Sequence, residues 1–463
     1  METLPMMVVK IIAHCLNPME LAACCGTSQT WREIFGNDIF WERYCSSNIA
    51  EHLATAVSRV QPKFVSPENE QLENTLSPIG EWRLAFMKEH ILWNHWKNGE
   101  MIQEMINIQN PYWVPSYEGA RCEFVTNDHL ITFRRNRVML WNISNYPQYI
   151  SDPVLPLSSH VVNFYSQLDE NKIIFVQGTI VQIYCYGFPI NTKWSLEQYF
   201  MFNRTDRTRV NIMKDMETVP SNVGCIVKEN FFVGYCDDQL HIWNLSGTKL
   251  GTVLCPGLNN YEISGIVTSK TPSKDLLIEV VRNNKNHLYV FNLDKLEFYP
   301  STYNYGDSWR SSYAIANGLL AICHKHSFKI YNYHTITLVW MMPAAYTVGV
   351  LFLEDYFIFI ATNTMYTFHT ITGSSQCIFV DLTDDIENIY RFNDTISDKF
   401  VLQTHRWNEI LYEVDLKSTP IKFKTTKLQE AGFLFHDDIV INNSCTKAAT
   451  MLTHNRVKII SKW

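Results

Sequence analysis

Basic side chains recur in the short polar segments that separate β-like runs over the C-terminal three quarters of the chain. Eight of these segments together hold eight Lys or Arg residues and two acidic residues, although the whole chain has 46 acidic and 39 basic residues. The basic residues are Arg134, Arg135, Arg137, Arg282, Lys285, Lys325, Arg406 and Arg456. Arginine presents a planar fork of N–H donors that pairs with two phosphate or carboxylate oxygens at once. The pattern predicts a binding site for acidic or phosphorylated protein segments; the alternative is a set of ordinary solvated turns.

Motifs of known catalytic and metal sites are absent from the sequence. The chain has no Gly-x-Ser-x-Gly, no phosphate-binding Gly-x-x-x-x-Gly-Lys and no His-Glu-x-x-His. Its 12 cysteines include no Cys-x-x-Cys pair, so zinc-ribbon and dithiol spacings are missing. Paired carboxylates such as Asp237-Asp238 fall in turns, where Asp bonds its own backbone. We therefore expect a non-catalytic protein with no cofactor and no metal.

Composition limits the kinds of partner further. The 463 residues are 46% hydrophobic and 18% charged, which excludes disorder of the whole chain and favours two or three domains. A net charge of -7 argues against a nucleic-acid-binding coat, and no apolar run approaches the ~20 residues of a membrane helix. We expect neither nucleic acid nor membrane as a partner. Scattered cysteines indicate reduced thiols in the cytoplasm, the nucleus or both.

The N-terminal segment is predicted to form three short helices. Apolar residues up to Leu16 lie on one helical face, Asn17-Pro18 ends that helix and starts a second, and Ser28 caps a third. A unit of this size has a marginal core and usually packs against a partner.

Composition then changes along the chain. Residues 62–80 are rich in proline and polar residues, as in a linker, and a helical segment follows. We therefore assign residues 1–50 to the helical unit, residues 51–110 to a linker and helical connector, and residues 111–463 to a β domain.

The β domain repeats one hairpin with a regular interval. Each hairpin's second strand has an aromatic or aliphatic anchor three positions in, often followed by Asn. The anchors are Trp141, Tyr184, Trp243, Phe291, Tyr331, Phe368, Val414 and Ile460. Their mean spacing, (460 − 141)/7, is about 46 residues, close to the ~40–45 of a four-stranded propeller blade. A β-sandwich gives no reason for this recurrence. The predicted fold is multidomain α+β: a small all-α unit, a helical linker, and an all-β propeller of seven or eight blades.

The N-terminal unit resembles an F-box. The shared features are an opening Leu4-Pro5, an aliphatic helix, Leu16-Asn-Pro18-Met-Glu-Leu21, Ser28-Gln-Thr-Trp31 and Trp41. The connector and β domain are similar to those of F-box/WD-repeat proteins, although the hairpins end in Trp-Asn where that family has Trp-Asp. By this resemblance, an apolar face with Leu4, Pro5, Ile12, Leu16, Pro18 and Leu21 would bind a Skp-type adaptor, and Trp31 and Trp41 would anchor the interior of the unit.

The resemblance also implies a function. The chain looks like the substrate-recognition subunit of an SCF-type (cullin-RING) ubiquitin ligase, a non-catalytic member of the complex. Its partners would be a Skp-type adaptor, a cullin and a protein substrate recognised by the propeller. The alternative is a propeller scaffold or interaction protein with no role in degradation.

Overall fold

A computed structural model of the chain describes most of its length. The described residues are 5–66, 79–108, 121–134, 137–151, 162–169, 172–177, 180–185, 194–201, 223–236, 238–256, 262–269, 273–282, 285–306, 312–324, 326–344, 346–361, 364–379, 386–392, 398–404, 409–416, 420–428, 439–453 and 456–463. Most of the linker predicted at 62–80 therefore lies outside the described residues.

Helices occupy the described part of the first hundred residues, as the sequence predicts. They are α1 (Met6–Cys15), α2 (Pro18–Thr27), α3 (Gln29–Phe35), α4 (Ser47–Thr55) and α5 (Glu81–Asn98), with 3-10 turns at Asp38–Phe40 and Glu42–Tyr44.

Short polar side chains cap the starts of α2 and α3. The Asn17 side chain accepts a hydrogen bond from the Glu20 backbone N–H (2.9 Å), and the Glu20 carboxylate accepts one from the Asn17 N–H (2.8 Å). This capping box satisfies two N–H groups that have no partner inside α2. Ser28 Oγ accepts from the Trp31 N–H (3.2 Å) at the start of α3. The caps explain why three helices fit into a segment of about 30 residues.

The rest of the described chain is β structure. In chain order the strands are β1 (Ile102–Asn107), β2 (Arg121–Thr126), β3 (His129–Arg134), β4 (Arg137–Asn142), β5 (Gln148–Ser151), β6 (Val162–Asp169), β7 (Lys172–Gln177), β8 (Ile180–Cys185), β9 (Ser195–Met201), β10 (Val223–Lys228), β11 (Phe231–Cys236), β12 (Gln239–Asn244), β13 (Lys249–Leu254), β14 (Glu262–Thr268), β15 (Asp275–Arg282), β16 (Lys285–Asn292), β17 (Glu297–Gly306), β18 (Ser312–Ala316), β19 (Leu319–His324), β20 (Ser327–Asn332), β21 (Thr337–Pro343), β22 (Thr347–Leu353), β23 (Tyr356–Ala361), β24 (Thr364–His369), β25 (Ser375–Phe379), β26 (Ile386–Arg391), β27 (Lys399–Thr404), β28 (Glu409–Asp415), β29 (Lys422–Lys427), β30 (Ile439–Ile441), β31 (Lys447–Thr453) and β32 (Arg456–Ser461).

These strands form eight antiparallel sheets of four strands each, the blades of a β-propeller. Blades 1 to 7 take four consecutive strands, from β2–β5 to β26–β29, and blade 8 contains β30, β31, β32 and β1. All eight predicted anchors lie in the third strand of their blades. The predicted propeller is therefore confirmed, and the number of blades is eight.

The ring is closed by a strand from the beginning of the β region. Strand β1 pairs along its full length with β32, from Ile102 opposite Ser461 to Asn107 opposite Arg456. Closure leaves neither end of the ring as an open blade edge. Strand β1 precedes residue 111, so the ring includes part of the segment that the sequence pattern assigns to the connector. The hairpin pattern could not reveal β1, because its partner strand is far away in the chain.

The asparagine after several anchors shapes the turn that follows it. The Oδ1 atoms of Asn142, Asn244, Asn292 and Asn332 accept hydrogen bonds of 2.8–3.0 Å from backbone N–H groups two to four residues further on. Such side-chain turns are a preferred use of Asn. The Trp-Asn ending of the hairpins is therefore a turn signal in this chain.

Apolar side chains of neighbouring blades pack against each other. In addition, a buried polar cluster links blade 4 to blade 5. Asp275, at the start of β15, accepts hydrogen bonds from the Tyr333 hydroxyl (2.7 Å), the Ser273 hydroxyl (2.7 Å) and the Asn292 amide (2.7 Å). Burial opposes ionisation of Asp275, but these three donors outweigh it and lower the carboxyl pKa. The cluster is a structural link between blades.

None of the described helices is long and apolar enough to cross a membrane.

Candidate functional site

The helical unit has its own small core. Leu21 is fully buried and Trp41 is 1% exposed, with the Trp41 indole N–H donating to the Phe35 carbonyl oxygen (2.9 Å). The Arg43 guanidinium donates to the carbonyl oxygens of Ala13 (2.7 Å) and Leu16 (3.1 Å), at the C-terminal end of α1. Carbonyl groups at the end of a helix lack the regular i+4 N–H partner, so these hydrogen bonds from Arg43 hold α1 against the following turns.

Helix α1 carries two apolar faces, and only one belongs to this core. Val9 and Ala13 are buried inside the unit. Met7 and Ile11, one helical turn apart on the other side, are 77% and 59% exposed. At the start of α2, Met19 is 71% exposed. We call Met7, Val8, Ile11 and Met19 the exposed stripe. An apolar surface of this kind on a small unit is typical of a protein-binding face.

The predicted adaptor-binding residues divide between surface and core. Leu4 lies outside the described residues and Pro5 is exposed, while Ile12, Leu16, Pro18 and Trp31 are half-buried. Leu21 and Trp41 are buried in the core. The placement of Leu21 on a binding face is therefore corrected, because its side chain has no solvent contact through which a partner could reach it.

The predicted adaptor-binding residues do not include those of the exposed stripe. Apolar residues occupy both sides of α1, and the helical pattern was assigned to a single face. Met7 and Ile11 are four residues apart, on the side of the helix opposite Val9 and Ala13. This spacing indicates a second apolar face on α1.

Helix α5 joins the helical unit to the ring. At its start, Trp82 and Phe86 pack against the core of the unit. At its end, Trp93 and Trp96 pack into the core of blades 7 and 8. The Trp96 indole N–H donates to the Cys445 carbonyl oxygen (2.8 Å), and its ring meets Phe392 edge-on at 5.3 Å. One helix thus holds both units in a fixed relation.

Charged groups are buried along this junction. The Lys399 ammonium pairs with Asp398 (2.6 Å) and lies 4.8 Å from the centre of the Trp93 ring. Burial disfavours its charge, but the Asp398 carboxylate outweighs this and raises the Lys399 pKa. Burial raises the pKa of the Glu89 carboxyl, which accepts hydrogen bonds from the Ser46 N–H and the Trp93 indole. Burial also lowers the pKa of the Lys462 ammonium to about 8.

The connector and Ile49, at the end of the helical unit, pack on one face of the ring. Arg59 and α5 of the connector contact turns between first and second strands, as at Cys445, and positions after third strands, as at Lys462 and Asn145. We call this the helix face. Because the four strands of a blade alternate in direction, turns between second and third strands emerge on the opposite face, which we call the hairpin face.

The predicted basic residues that the structure describes belong to the hairpin face. Arg134 and Arg137 flank the turn between β3 and β4, and Arg282 and Lys285 flank the turn between β15 and β16. Arg456 begins β32 and has an exposed side chain. Arg135, Lys325 and Arg406 lie outside the described residues. The topology thus brings turns of several blades to one face, in positions remote from the helical unit.

A cleft of about 850 Å³ separates the turn between α1 and α2 from blade 7. Its lining includes Trp93 and Lys399, together with Glu354, Asp398 and Asp415 of the ring. Within the described residues, no group of three or more His, Cys, Asp or Glu side chains is placed to hold a metal ion.

No protein-family model and no curated protein sequence matches the chain. Several solved structures are similar to it at low identity. The C-terminal WD40 domain of Sif2 is 11% identical, with 78% of this chain and 98% of that one covered and a TM-score of 0.46. The Dos1 propeller is 10% identical, with 77% and 94% covered and a TM-score of 0.46. BamB from Moraxella catarrhalis is 7% identical, with 78% and 97% covered and a TM-score of 0.41.

Identities and TM-scores this low support no argument about function. The assignment of the fold rests on the strand pairing within the chain. That pairing defines the class: an eight-bladed β-propeller protein with a helical N-terminal unit.

Proposed function

We propose that this chain is the substrate-recognition subunit of an SCF-type ubiquitin ligase. The helical unit binds a Skp-type adaptor, the adaptor joins it to a cullin, and the propeller binds the protein to be modified. The chain itself binds and positions the substrate protein and contributes no catalytic group. More broadly, the proposal makes the propeller a protein-interaction scaffold.

The observation that carries this proposal is the exposed stripe on a unit that resembles an F-box. Met7, Ile11 and Met19 place apolar side chains in water on a unit whose core is filled by other residues. Covering a side chain of this size contributes roughly 1.5–3 kcal/mol. Three such residues are enough to supply a stable docking surface for an apolar partner face.

Replacing Met7 and Ile11 with glutamate is expected to abolish adaptor binding while leaving the fold intact. Both side chains are exposed, so the charges cost little in the free chain but would be buried without partners in the complex. Binding of purified full-length chain to a recombinant Skp-type adaptor should weaken at least about a hundredfold, measured by titration calorimetry.

The matched control is Val57→Glu, which introduces the same charge at a residue that is 79% exposed and outside the stripe. It should bind the adaptor as the unaltered chain does. Equal adaptor binding by the Met7→Glu/Ile11→Glu variant would show that the stripe is not the docking face. If the unaltered chain itself binds no adaptor and co-purifies no cullin, the ligase role is wrong and the scaffold role remains.

We further propose that the hairpin face binds the substrate through an acidic or phosphorylated segment. The helical unit occupies the helix face, so an adaptor docked there leaves the hairpin face open. Arg134, Arg137, Arg282, Lys285 and Arg456 belong to turns on that open face.

Charge reversal at Arg134 and Arg282 together is expected to abolish capture of a phosphorylated substrate and leave adaptor binding unchanged. A phosphoserine brings roughly -1.5 to -2 charges and three acceptor oxygens, so reversing two positive charges on the face that binds it replaces attraction by repulsion. The readout is the set of proteins captured from proteasome-inhibited cells, compared with and without phosphatase treatment. Lys458→Glu, on blade 8 but inside β32, serves as the charge control. Unchanged capture after both reversal and phosphatase treatment would refute this binding mode.

A further inference from the structure

The exposed stripe lies on a surface that is rich in sulfur. Among the side chains that the structure describes, Met7 and Met19 are the most exposed methionines, at 77% and 71%. Cys15, the last residue of α1, is exposed as well. Because Met7, Ile11 and Cys15 are spaced four residues apart, they share one face of α1. Three of the six exposed sulfur residues that the structure describes therefore lie within residues 7–19. The other three are in outer strands of the ring: Met105 in β1, Met341 in β21 and Cys377 in β25.

Methionines in the core of the ring are shielded from solvent. Met139 is 6% exposed and Met365 is fully buried. An oxidant dissolved in water reaches a sulfur atom only where solvent reaches it, so exposed methionines react before buried ones. Oxidation at a low dose therefore changes the surface of the protein, including the stripe, and leaves the packing of the blades intact.

Oxidation of a thioether changes the polarity of the side chain. Hydrogen peroxide transfers one oxygen atom to the methionine sulfur: the O–O bond breaks, an S–O bond forms, and the second oxygen leaves as water. Sulfur loses two electrons and peroxide gains them. The product, methionine sulfoxide, is polar, and methionine sulfoxide reductases convert it back to methionine with electrons from a thiol reductant. Val8 and Ile11 do not react, so Met7 and Met19 are the reactive half of the stripe.

We propose that peroxide oxidation of Met7 and Met19 switches off docking at the exposed stripe and that enzymatic reduction restores it. This inference rests on the docking role of the stripe in the proposed function. In the free chain a sulfoxide oxygen at either position is hydrated, because both side chains are exposed. A partner that covers the stripe removes that water, and a buried polar group without a hydrogen-bond partner is costly. Binding at the stripe is thus coupled to the oxidation state of its two thioethers.

The test compares adaptor binding by the oxidised and reduced forms of the purified full-length chain. Dilute hydrogen peroxide followed by catalase gives the oxidised form; peptide mass spectrometry identifies oxygen on Met7 and Met19, and circular dichroism checks the fold. In titration calorimetry, the affinity for a recombinant Skp-type adaptor that has not met peroxide should fall at least about tenfold. Treatment with methionine sulfoxide reductases should restore the affinity. A chain that carries both sulfoxides and binds as tightly as before overturns the proposal.

The Met7→Leu/Met19→Leu variant keeps apolar side chains of similar size and has no thioether in the stripe. Its affinity for the adaptor is measured before and after peroxide treatment, and the treatment should not change it. The matched control is Met105→Leu/Met341→Leu, which removes methionines that are 43% and 54% exposed in the ring. The control should lose affinity on oxidation as the unaltered chain does. An equal loss in the Met7→Leu/Met19→Leu variant would refute the assignment to the stripe.

Cys15 is the alternative source of an oxidation effect, since peroxide also converts a thiolate to a sulfenic acid. The Cys15→Ser variant should still lose adaptor binding on oxidation. Dithiothreitol, which reduces sulfenic acids and disulfides, should not restore binding. Protection by Cys15→Ser, or recovery with dithiothreitol, would assign the effect to the thiol and overturn the role of the methionines. An unaltered chain that binds no adaptor before oxidation is a separate result, which refutes the docking role in the proposed function and this inference with it.

Discussion

Deleting residues Val457–Trp463 is expected to open the ring and leave the protein insoluble or sensitive to protease. Strand β32 lies between β31 and β1, so the deletion removes one strand and leaves β1 without a partner. Val457, Ile459 and Ile460 are fully buried, and each such side chain contributes roughly 1.5–3 kcal/mol through burial. The exposed edges of blade 8 then favour association between chains. The measurements are the soluble fraction after expression and limited proteolysis.

Arg456→Ala is the control for this deletion. Arg456 belongs to the same strand but has an exposed side chain, so its loss should leave solubility and protease resistance unchanged. A truncated chain that remains soluble and unfolds in a single cooperative transition would show that β1 and β32 do not close the ring.

Replacing Trp96 with alanine is expected to lower the free energy of unfolding by about 3–5 kcal/mol. Trp96 is 1% exposed, and its loss leaves a cavity next to Phe392 and removes the hydrogen bond to the Cys445 carbonyl. The Lys462 ammonium, 5.0 Å from the centre of the Trp96 ring, also loses a favourable contact. Urea denaturation followed by circular dichroism measures the change.

Trp96→Phe separates the contribution of ring packing from that of the indole hydrogen bond, since it keeps an aromatic ring but has no N–H donor. It should recover part of the lost stability, and Val57→Ala, at an exposed site, should cost almost nothing. A Trp96→Ala variant as stable as the unaltered chain would mean that α5 is not anchored in blades 7 and 8.

The sequence predicts the parts of this fold that repeat or that depend on local chemistry. Anchors such as Trp141 and Trp243 recur about once per blade length, and all eight fall in third strands. The caps at Asn17 and Ser28 follow from residue types at helix starts. Both signals are short-range, so one sequence is enough to detect them.

Long-range contacts were beyond sequence reasoning. Strand β1 has no hairpin partner nearby, and the docking of α5 on the ring depends on shape. For the candidate sites, motif reasoning located the helical unit but placed Leu21 on the surface and omitted Met7 and Ile11. Hydrophobicity alone could not say which apolar side of α1 faces inward, because both sides are apolar.

The closure of the ring by β1 also has a consequence for biosynthesis. Asn107 and its partner Arg456 are 349 residues apart, since 456 − 107 = 349. At roughly 5–20 residues per second, the ribosome needs roughly 20–70 s to make the intervening chain. During this time β1 has no partner strand, and the Trp93 and Trp96 side chains have no ring to pack into. Nascent chains should therefore carry exposed apolar surface until translation is nearly complete, which makes them substrates for ribosome-associated chaperones.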